Sequence, residues 1–430
     1  MKTIGIICEL NPMHNGHKYL IDECKKNLSA DRVILVMSGD YVQRGAPAII
    51  DKFTRAKTAI LSGGDVVIEL PVYYSLGSAE YFAMGAVSLL NSLGVVDYLC
   101  FGSETEDIKV LEKIADILVK EPGIYKDVLK ENQKKGLSFA SARQEAVIAQ
   151  ISSESDNNLS LITQILSSPN SILALEYIKA LKKLKSGIKP VAIKRVGAPH
   201  DSELKFDEDD HVSTDFHGLS VGLSSSGIRA RLLSGSGDHV RKNAMALLSG
   251  TMPQSAIDDI ASFSGHFMTS DRFSSYLLYK LLSESDRGFT DYLDVNRDIS
   301  NSIVRSLYSF EDISSFCNQL KSKNIAYSRI SRSLFHILLN IYEDNMQEYK
   351  EDEYTNYARI LALKSSSSDI VGLMNEKSTI PVISRLKDAD LTFSLLQKRL
   401  LDESLSAGRI YSSICYGKVI SEYSLKPIIL

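Results

Sequence analysis

The chain has 430 residues, 44% apolar and 24% charged, with a formal net charge of −4. That balance is typical of a soluble globular protein of two or three domains and excludes disordered, fibrous and coiled-coil classes. No apolar run approaches the ~20 residues of a membrane helix, and five scattered cysteines with no CxxC pair argue against a disulfide framework or thiolate metal site, so a cytoplasmic protein with no membrane partner is expected.

The first hundred residues alternate between two patterns. Residues 3–9 (TIGIICE), 32–37 (RVILVM), 65–70 (DVVIEL) and 97–101 (DYLCF) are almost continuously apolar, as parallel strands buried on both faces should be. Between them, residues 17–28, 52–61 and 78–93 have helical spacing. Strand alternating with helix predicts βαβ units in a Rossmann-like, doubly wound α/β domain. Further along, 108–119 and 171–184 read as helices, and 190–194 (PVAIK) as a strand rejoining the sheet. Residues 201–215 are acidic and turn-rich, an expected exposed loop, and 224–233 (SSSGIRARLL) opens like a capped helix. The sheet domain is expected to span 1–245. Residues 273–282, 299–307, 328–341 and 356–363 then carry helical periodicity, so 246–430 are expected to form a mainly α-helical domain.

The strongest chemical signal follows the first strand. It reads Glu9-Leu10-Asn11-Pro12-Met13-His14-Asn15-Gly16-His17-Lys18, with His-x-Gly-His at the turn into the helix. Ligands of open α/β sheets bind at the carboxyl ends of strands, and a helix N-terminus offers free N–H groups to a phosphate. Gly16 is expected to let the backbone approach that phosphate. His14 and His17, at i and i+3, share one side of the first helical turn and are the expected donors to phosphate oxygens as charge builds in a transition state. No HExxH is present, and no third ligand is near in sequence, so no metal site is expected.

Longer strings extend this signal. GIICELNPMHNGH (5–17), MSGDYVQRGAPAIIDKFTRA (37–56), GGDVVIELP (63–71), SAEYFAMGA (78–86) and FGSE (101–104) come in order. SPNSILALEYIKAL (168–181), AIKRVGA (192–198), SSSGIRARL (224–232) and YSRISRSLFHILL (327–339) continue them. Together they resemble the bacterial tRNA(Met) cytidine acetate ligase family of the HxGH nucleotidyltransferases. The turn departs from that family's Tyr-Asn-Pro-Phe, reading Leu10-Asn11-Pro12-Met13. The resemblance implies that acetate is activated by ATP as acetyl-adenylate, with Mg2+, and passed to the wobble cytidine of elongator tRNA(Met). It implies that ATP is bound by the 7–20 segment (Ile7, Cys8, Glu9, Leu10, Asn11, Pro12, Met13, His14, Asn15, Gly16, His17, Lys18, Tyr19, Leu20), with Gly102, Asn170 and Arg195. Ser226 and Arg229 match the second signature of that superfamily. Simpler readings of Gly102, Asn170 and Arg195 are a turn glycine, an N-cap and a solvated basic residue.

Asp40, Gln43 and Arg44 follow the second strand and are candidates for holding acetate or the cytidine, with an Asp40–Arg44 surface pair as the bland alternative. Two basic clusters are candidate tRNA surfaces. The stretch from Lys179 to Arg195 has seven basic residues and no acidic one. Lys321, Lys323, Arg329 and Arg332 form the other, beside Tyr327 as a stacking platform. Rival functions are an adenylyltransferase acting on a small phosphorylated substrate and a non-catalytic, nucleotide-regulated RNA-binding protein.

Overall fold

A computed structural model describes residues 1–153, 159–195, 224–235 and 237–430. The expected acidic loop 201–215 and the residues 196–200 after Arg195 lie outside this set. The apolar runs at the start of the chain form the predicted strands: β1 (Thr3–Cys8), β2 (Arg32–Ser38), β5 (Val66–Leu70) and β6 (Tyr98–Ser103), with a short hairpin, β3 (Tyr41–Val42) and β4 (Ala46–Pro47), after β2. The intervening helices are α1 (Asn15–Leu28), α2 (Lys52–Leu61), α3 (Val72–Ser75) and α4 (Ala79–Ser92). Helices α5 (Ile108–Lys120), α6 (Gly123–Lys134), α7 (Phe139–Ser153), α8 (Leu159–Ser167) and α9 (Pro169–Lys183) lead to β7 (Lys189–Lys194), and α10 (Ser225–Leu233) follows.

β1 pairs in parallel with β2 on one side (Ile4 opposite Val33) and with β6 on the other (Ile4 opposite Tyr98). β5 adds beyond β2 and β7 beyond β6, both parallel. The strand order β5-β2-β1-β6-β7 therefore reverses direction of growth at β1, the switch point where such sheets open a crevice. The turns after β1, β6 and β7 share one edge, which places His14, Gly102 and Arg195 on it.

Helices predominate after residue 245, yet the sheet does not stop there. β8 (Ala358–Leu363) pairs antiparallel with β5, and β9 (Val382–Ile383) and β10 (Ile428–Ile429) pair with β8. This corrects the helix expected over 356–363. Its Ala, Arg and Leu are good helix formers, but five of the six β8 residues are buried, and a free ladder on β5 overrides local propensity. β8 also brings Arg359 opposite Glu69. Arg359 lies 2.8 Å from Glu69 and 2.7 Å from Glu422, and Lys52 lies 2.7 Å from Glu69 and 2.8 Å from Glu422. All four side chains are buried. Taking one partner out of such a cluster leaves a buried charge unpaired, at a cost of about 3–5 kcal/mol. The network therefore binds the end of the chain to the first half of the sheet, across the boundary expected near 245.

Candidate active site

α1 begins with a reciprocal cap. His14 occupies the N-cap with extended backbone (φ −141°), and its Nδ1 accepts from the Gly16 N–H at 3.0 Å. His17 Nδ1 accepts from the His14 N–H at 3.3 Å. The two rings stack with centroids 3.9 Å apart. An imidazole that accepts through Nδ1 carries its proton on Nε2 when neutral, so both rings are set as Nε2–H donors. Burial, His14 and Arg195 together push the His17 pKa well below its ordinary range, which keeps this ring neutral at physiological pH. Gly16 serves the cap directly: a Cβ there would stand 2.9 Å from the His14 ring. This gives the position a reason for glycine besides the phosphate approach expected.

The turn before His14 is fastened from three sides. Asn11 Oδ1 accepts from the Ile49 N–H at 2.8 Å, and the Asn11 carbonyl accepts from Arg229 at 2.7 Å. Arg229 also donates to Ser226 Oγ at 3.1 Å, so the second signature braces the first. Arg55 in α2, fully buried, donates to the carbonyls of Glu9 and Ser38 at 2.6 and 3.1 Å and to that of Gly39. It ties the carboxyl ends of β1 and β2 together. Arg55 stood inside the 37–56 string without an assigned role. Its position one turn after the Asp51 N-cap was the available signal.

These residues wall a cavity of about 790 Å³, within the usual range for ligand sites. From 7–20, the residues lining it are Ile7, Cys8, Glu9, Leu10, Asn11, His14, Gly16, His17, Tyr19 and Leu20. Pro12, Met13, Asn15 and Lys18 do not line it. Met13 is core, Asn15 donates to the Gly250 carbonyl at 2.9 Å, and Lys18 pairs with Asp22 on the surface. Gly102, Asn170, Arg195, Ser226 and Arg229 all reach the cavity. Gly102 is the penultimate residue of β6 rather than a residue after it, and a Cβ there would meet the Arg195 side chain at 3.3 Å. Asn170 is not the N-cap of the simpler reading. Ser168 takes that position, with its hydroxyl donating to Glu104 at 3.1 Å, which leaves Asn170 in the first turn of α9. The Asn170 Nδ2 is buried with no hydrogen-bond partner among the described residues, a donor awaiting an acceptor.

Three helix N-termini converge on the cavity, those of α1 (His14, Gly16), α9 (Pro169, Asn170) and α10 (Ser224, Ser225, Ser226). Their positive dipole ends favour an anion, although the first N–H groups of α1 are already taken by the Thr251 carbonyl and by His14. Lys194, Arg195, Arg229 and Arg44 add cations to the wall. From the second half come Met268, Thr269, Ser270 and Ser328, none of them singled out from sequence. Cys8 also lines the cavity, but burial pushes its thiol up to about 12, so it is not a nucleophile at neutral pH. Among the described residues no group of three or more His, Cys, Asp or Glu is placed to hold a metal ion.

Gln43 and Arg44 line the cavity from the β3–β4 hairpin, but Asp40 does not. Asp40 is buried, accepts from the Lys52 N–H at 2.9 Å and lies 3.8 Å from Lys52 Nζ, where burial raises its pKa to about 7. Asp40 therefore lies against the N-terminus of α2 instead of in the cavity wall.

The basic clusters are also rearranged. Lys179 sits 3.0 Å from both Glu80 and Glu176, Lys183 3.2 Å from Glu80, and Lys182 2.8 Å from Asp116. The 179–195 run, free of acids in sequence, is thus partly neutralised in space. In the other cluster Arg332 is buried and donates to Asp294 at 3.1 Å, whereas Lys321 and Lys323 are exposed and Arg329 half-buried.

The family model described as HIGH Nucleotidyl Transferase matches residues 1–424. A tRNA(Met) cytidine acetate ligase of Caldanaerobacter subterraneus is 37% identical over 430 residues, covering all of both chains. The chain belongs to the tRNA(Met) cytidine acetate ligase family. The ligase of that name from Acetivibrio thermocellus is 35% identical over 97% of this chain and 95% of its own. That of Clostridium acetobutylicum is 39% identical over 90% of this chain and 91% of its own. Among solved structures, Thermotoga maritima TmcAL bound with α-thio ATP superposes with a TM-score of 0.86, at 27% identity and full coverage of both chains. Its apo form gives 0.87 at 28% identity, also with full coverage of both. A member of this ligase family is expected to have the Rossmann-like fold and the HxGH turn described above, and both are present.

Proposed function

We propose that the chain is an ATP-dependent ligase that makes acetyl-adenylate from acetate and transfers the acetyl group to the wobble cytidine of elongator tRNA(Met), forming N4-acetylcytidine. One observation carries this reading: the paired imidazoles of His14 and His17 stand at the sheet's switch point, among three helix N-termini, in a chain akin over its whole length to tRNA(Met) cytidine acetate ligases.

In the first step an acetate oxygen attacks the α-phosphorus and pyrophosphate leaves. The protein's part is positioning and charge stabilisation. The Nε2–H groups of His14 and His17 donate to phosphate oxygens at the positive dipole end of α1. Asn170 and Arg195 hold the nucleotide, and Gly102 keeps the floor open beneath Arg195. Ser226 and Arg229 face the distal phosphates, Arg229 with two of its five donors already spent on the protein. Gln43 and Arg44 stand on the hairpin side, where acetate and the cytidine enter. Mg2+ would arrive on the triphosphate and keep water ligands, as that ion prefers, since no protein cluster is built for it among the described residues. Lys321, Lys323 and Arg329, just ahead of or within helix Tyr327–Leu339, whose Ser328 lines the cavity, offer the tRNA a basic approach. No helix among the described residues is long and apolar enough to cross a membrane. A tRNA substrate supports a cytoplasmic location.

The test is exchange of labelled pyrophosphate into ATP without tRNA, followed by nucleoside analysis of tRNA after full turnover. The reading requires exchange that depends on acetate, and N4-acetylcytidine in tRNA(Met). Exchange indifferent to acetate would indicate a different adenylyl acceptor, and no exchange would indicate a binding protein.

A further inference from the structure

The cavity is built for anions, yet it contains one acid. Among the described residues lining it, Glu9 is the single carboxylate, against Lys194, Arg195, Arg229 and Arg44. A triphosphate and acetate both carry negative charge, so a carboxylate here opposes binding of each. The position therefore calls for a role that outweighs that cost.

Glu9 directly follows β1, at the switch point. Its Oε1 accepts from the Gln43 N–H at 2.7 Å, which fixes the side chain beside the hairpin where the cytidine is proposed to enter. The other oxygen, Oε2, accepts from no described residue. The side chain is enclosed by protein yet only half-buried, because it opens onto the cavity. Acetyl transfer makes one demand that no other described lining residue meets at neutral pH. The exocyclic amine must lose a proton as it attacks. His17 Nδ1 is occupied by the His14 N–H and His14 Nδ1 by the Gly16 N–H, and their Nε2 atoms carry protons. The Cys8 thiol stays protonated, and so does the phenol of Tyr177, whose pKa is raised. The remaining described ionisable side chains of the wall, besides the phenol of Tyr19, are cations.

Resting on the function proposed above, we infer that Glu9 accepts the proton from the cytidine amine during acetyl transfer. The amine nitrogen forms a bond to the acetyl carbon, the bond from that carbon to the AMP phosphate oxygen breaks, and AMP leaves with the electron pair. The amine proton passes to Glu9 Oε2 and from there to solvent. Arg44 from the hairpin, Arg55 from α2 and Arg229 from α10 face Glu9 and favour its charged form, while Cys8 and Tyr177 adjoin it. Burial outweighs these cations and raises the Glu9 pKa above the ordinary carboxylate range, toward the pH at which a general base works best.

The test is Glu9→Gln in the full-length protein. Glutamine still accepts from the Gln43 N–H but takes no proton. Acetate-dependent pyrophosphate exchange is measured without tRNA, and single-turnover acetyl transfer with tRNA(Met) as a function of pH. Transfer should fall about 10²-fold more than exchange, within the range for loss of a general base. Wild-type transfer should fall as pH drops through the raised Glu9 pKa and Glu9 becomes protonated, and that acidic limb should vanish in the variant. Glu9→Asp should keep the limb at a reduced rate, a rescue that a purely structural role would not give. Equal loss of exchange and transfer would overturn the inference and leave Glu9 as a fastener of the hairpin. Recovery of both by excess Mg2+ would overturn it in favour of metal binding. If wild-type exchange itself ignores acetate, the proposed function fails, which is a separate outcome.

Discussion

The His14 imidazole both caps α1 and lines the cavity, and substitution separates the two roles. Asparagine caps helices well, so His14→Asn should melt close to the wild type while exchange falls on the order of 10²–10³-fold, as for loss of one transition-state donor. His14→Ala should lose the same activity and a further ~1 kcal/mol of stability with the cap. Urea titration beside an exchange assay checks both; near-normal exchange in His14→Asn would remove the imidazole from the reaction. Arg195 allows an equally sharp test. Its N–H continues the ladder by donating to the Ser103 carbonyl at 3.0 Å, and its side chain lies along Gly102 at the cavity wall. Arg195→Ala should therefore raise the ATP KM or lower exchange in the absence of tRNA, by the ~1.5–3 kcal/mol of a lost charged hydrogen bond. Unchanged ATP kinetics in the folded variant would leave Arg195 to the RNA. At this scale the sequence disclosed what a linear spacing can hold: two imidazoles three residues apart at a strand end. Which of 7–20 face the cavity depends on the turn of the chain in space. Asn15 and Met13 flank His14 yet point away, and Asp40 turns inward to Lys52.

The β3–β4 hairpin brings Gln43 and Arg44 to the cavity, and one glycine sets how closely it packs. Gly45 has φ +82°, and a Cβ there would lie 2.4 Å from the Arg332 backbone nitrogen in helix Tyr327–Leu339. The Ser331 hydroxyl donates to the Gly45 carbonyl at the same place. Gly45→Ala therefore meets two penalties, a left-handed backbone and a collision with backbone that cannot move aside. Gly136 has φ +81° with open space around it, so Gly136→Ala isolates the first penalty. Gly45→Ala should cost more than the ~1 kcal/mol expected of Gly136→Ala, and should lower acetyl transfer as Gln43 and Arg44 shift. Equal melting temperatures for the two variants would mean that the hairpin accommodates the methyl group. The hairpin itself is invisible in the sequence, because two-residue strands carry no periodicity. β8 misleads for another reason: its Ala, Arg and Leu satisfy a helix locally, and only the open edge of β5 decides otherwise. The buried parallel strands, by contrast, are apolar on both faces, and that pattern depends on no neighbour.

Across the whole molecule, the second half contributes sheet strands, cavity wall and basic surface at once, so a boundary at 245 describes helix content better than mechanical independence. Arg359 and Glu422 secure it to Lys52 and Glu69. Where tRNA docks is then a question of which charges remain unspent. Basic residues adjacent in sequence suggested two surfaces, but spatial pairing separates them. Lys179, Lys182 and Lys183 already face Glu80, Glu176 or Asp116, and Arg332 is paired with Asp294. Lys321 and Lys323 are exposed beside helix Tyr327–Leu339, with Arg329 half-buried on it and Ser328 in the cavity wall. Reversing Lys321, Lys323 and Arg329 together to Glu should weaken tRNA binding and flatten its salt dependence by about one unit of slope for each phosphate no longer neutralised. Acetate-dependent exchange should persist, because the cavity is unaltered. Reversing Lys182 and Lys183 should change tRNA affinity far less, since those charges are already offset by carboxylates. Arg332→Glu is no test of docking, because it places two carboxylates together at a buried site and destabilises the fold. Filter binding of tRNA(Met) across a salt series, with exchange measured on the same preparations, distinguishes these outcomes. An unchanged salt slope in the triple variant would move the tRNA surface off helix Tyr327–Leu339. A steep drop in affinity on reversing Lys182 and Lys183 would return it to α9 and β7.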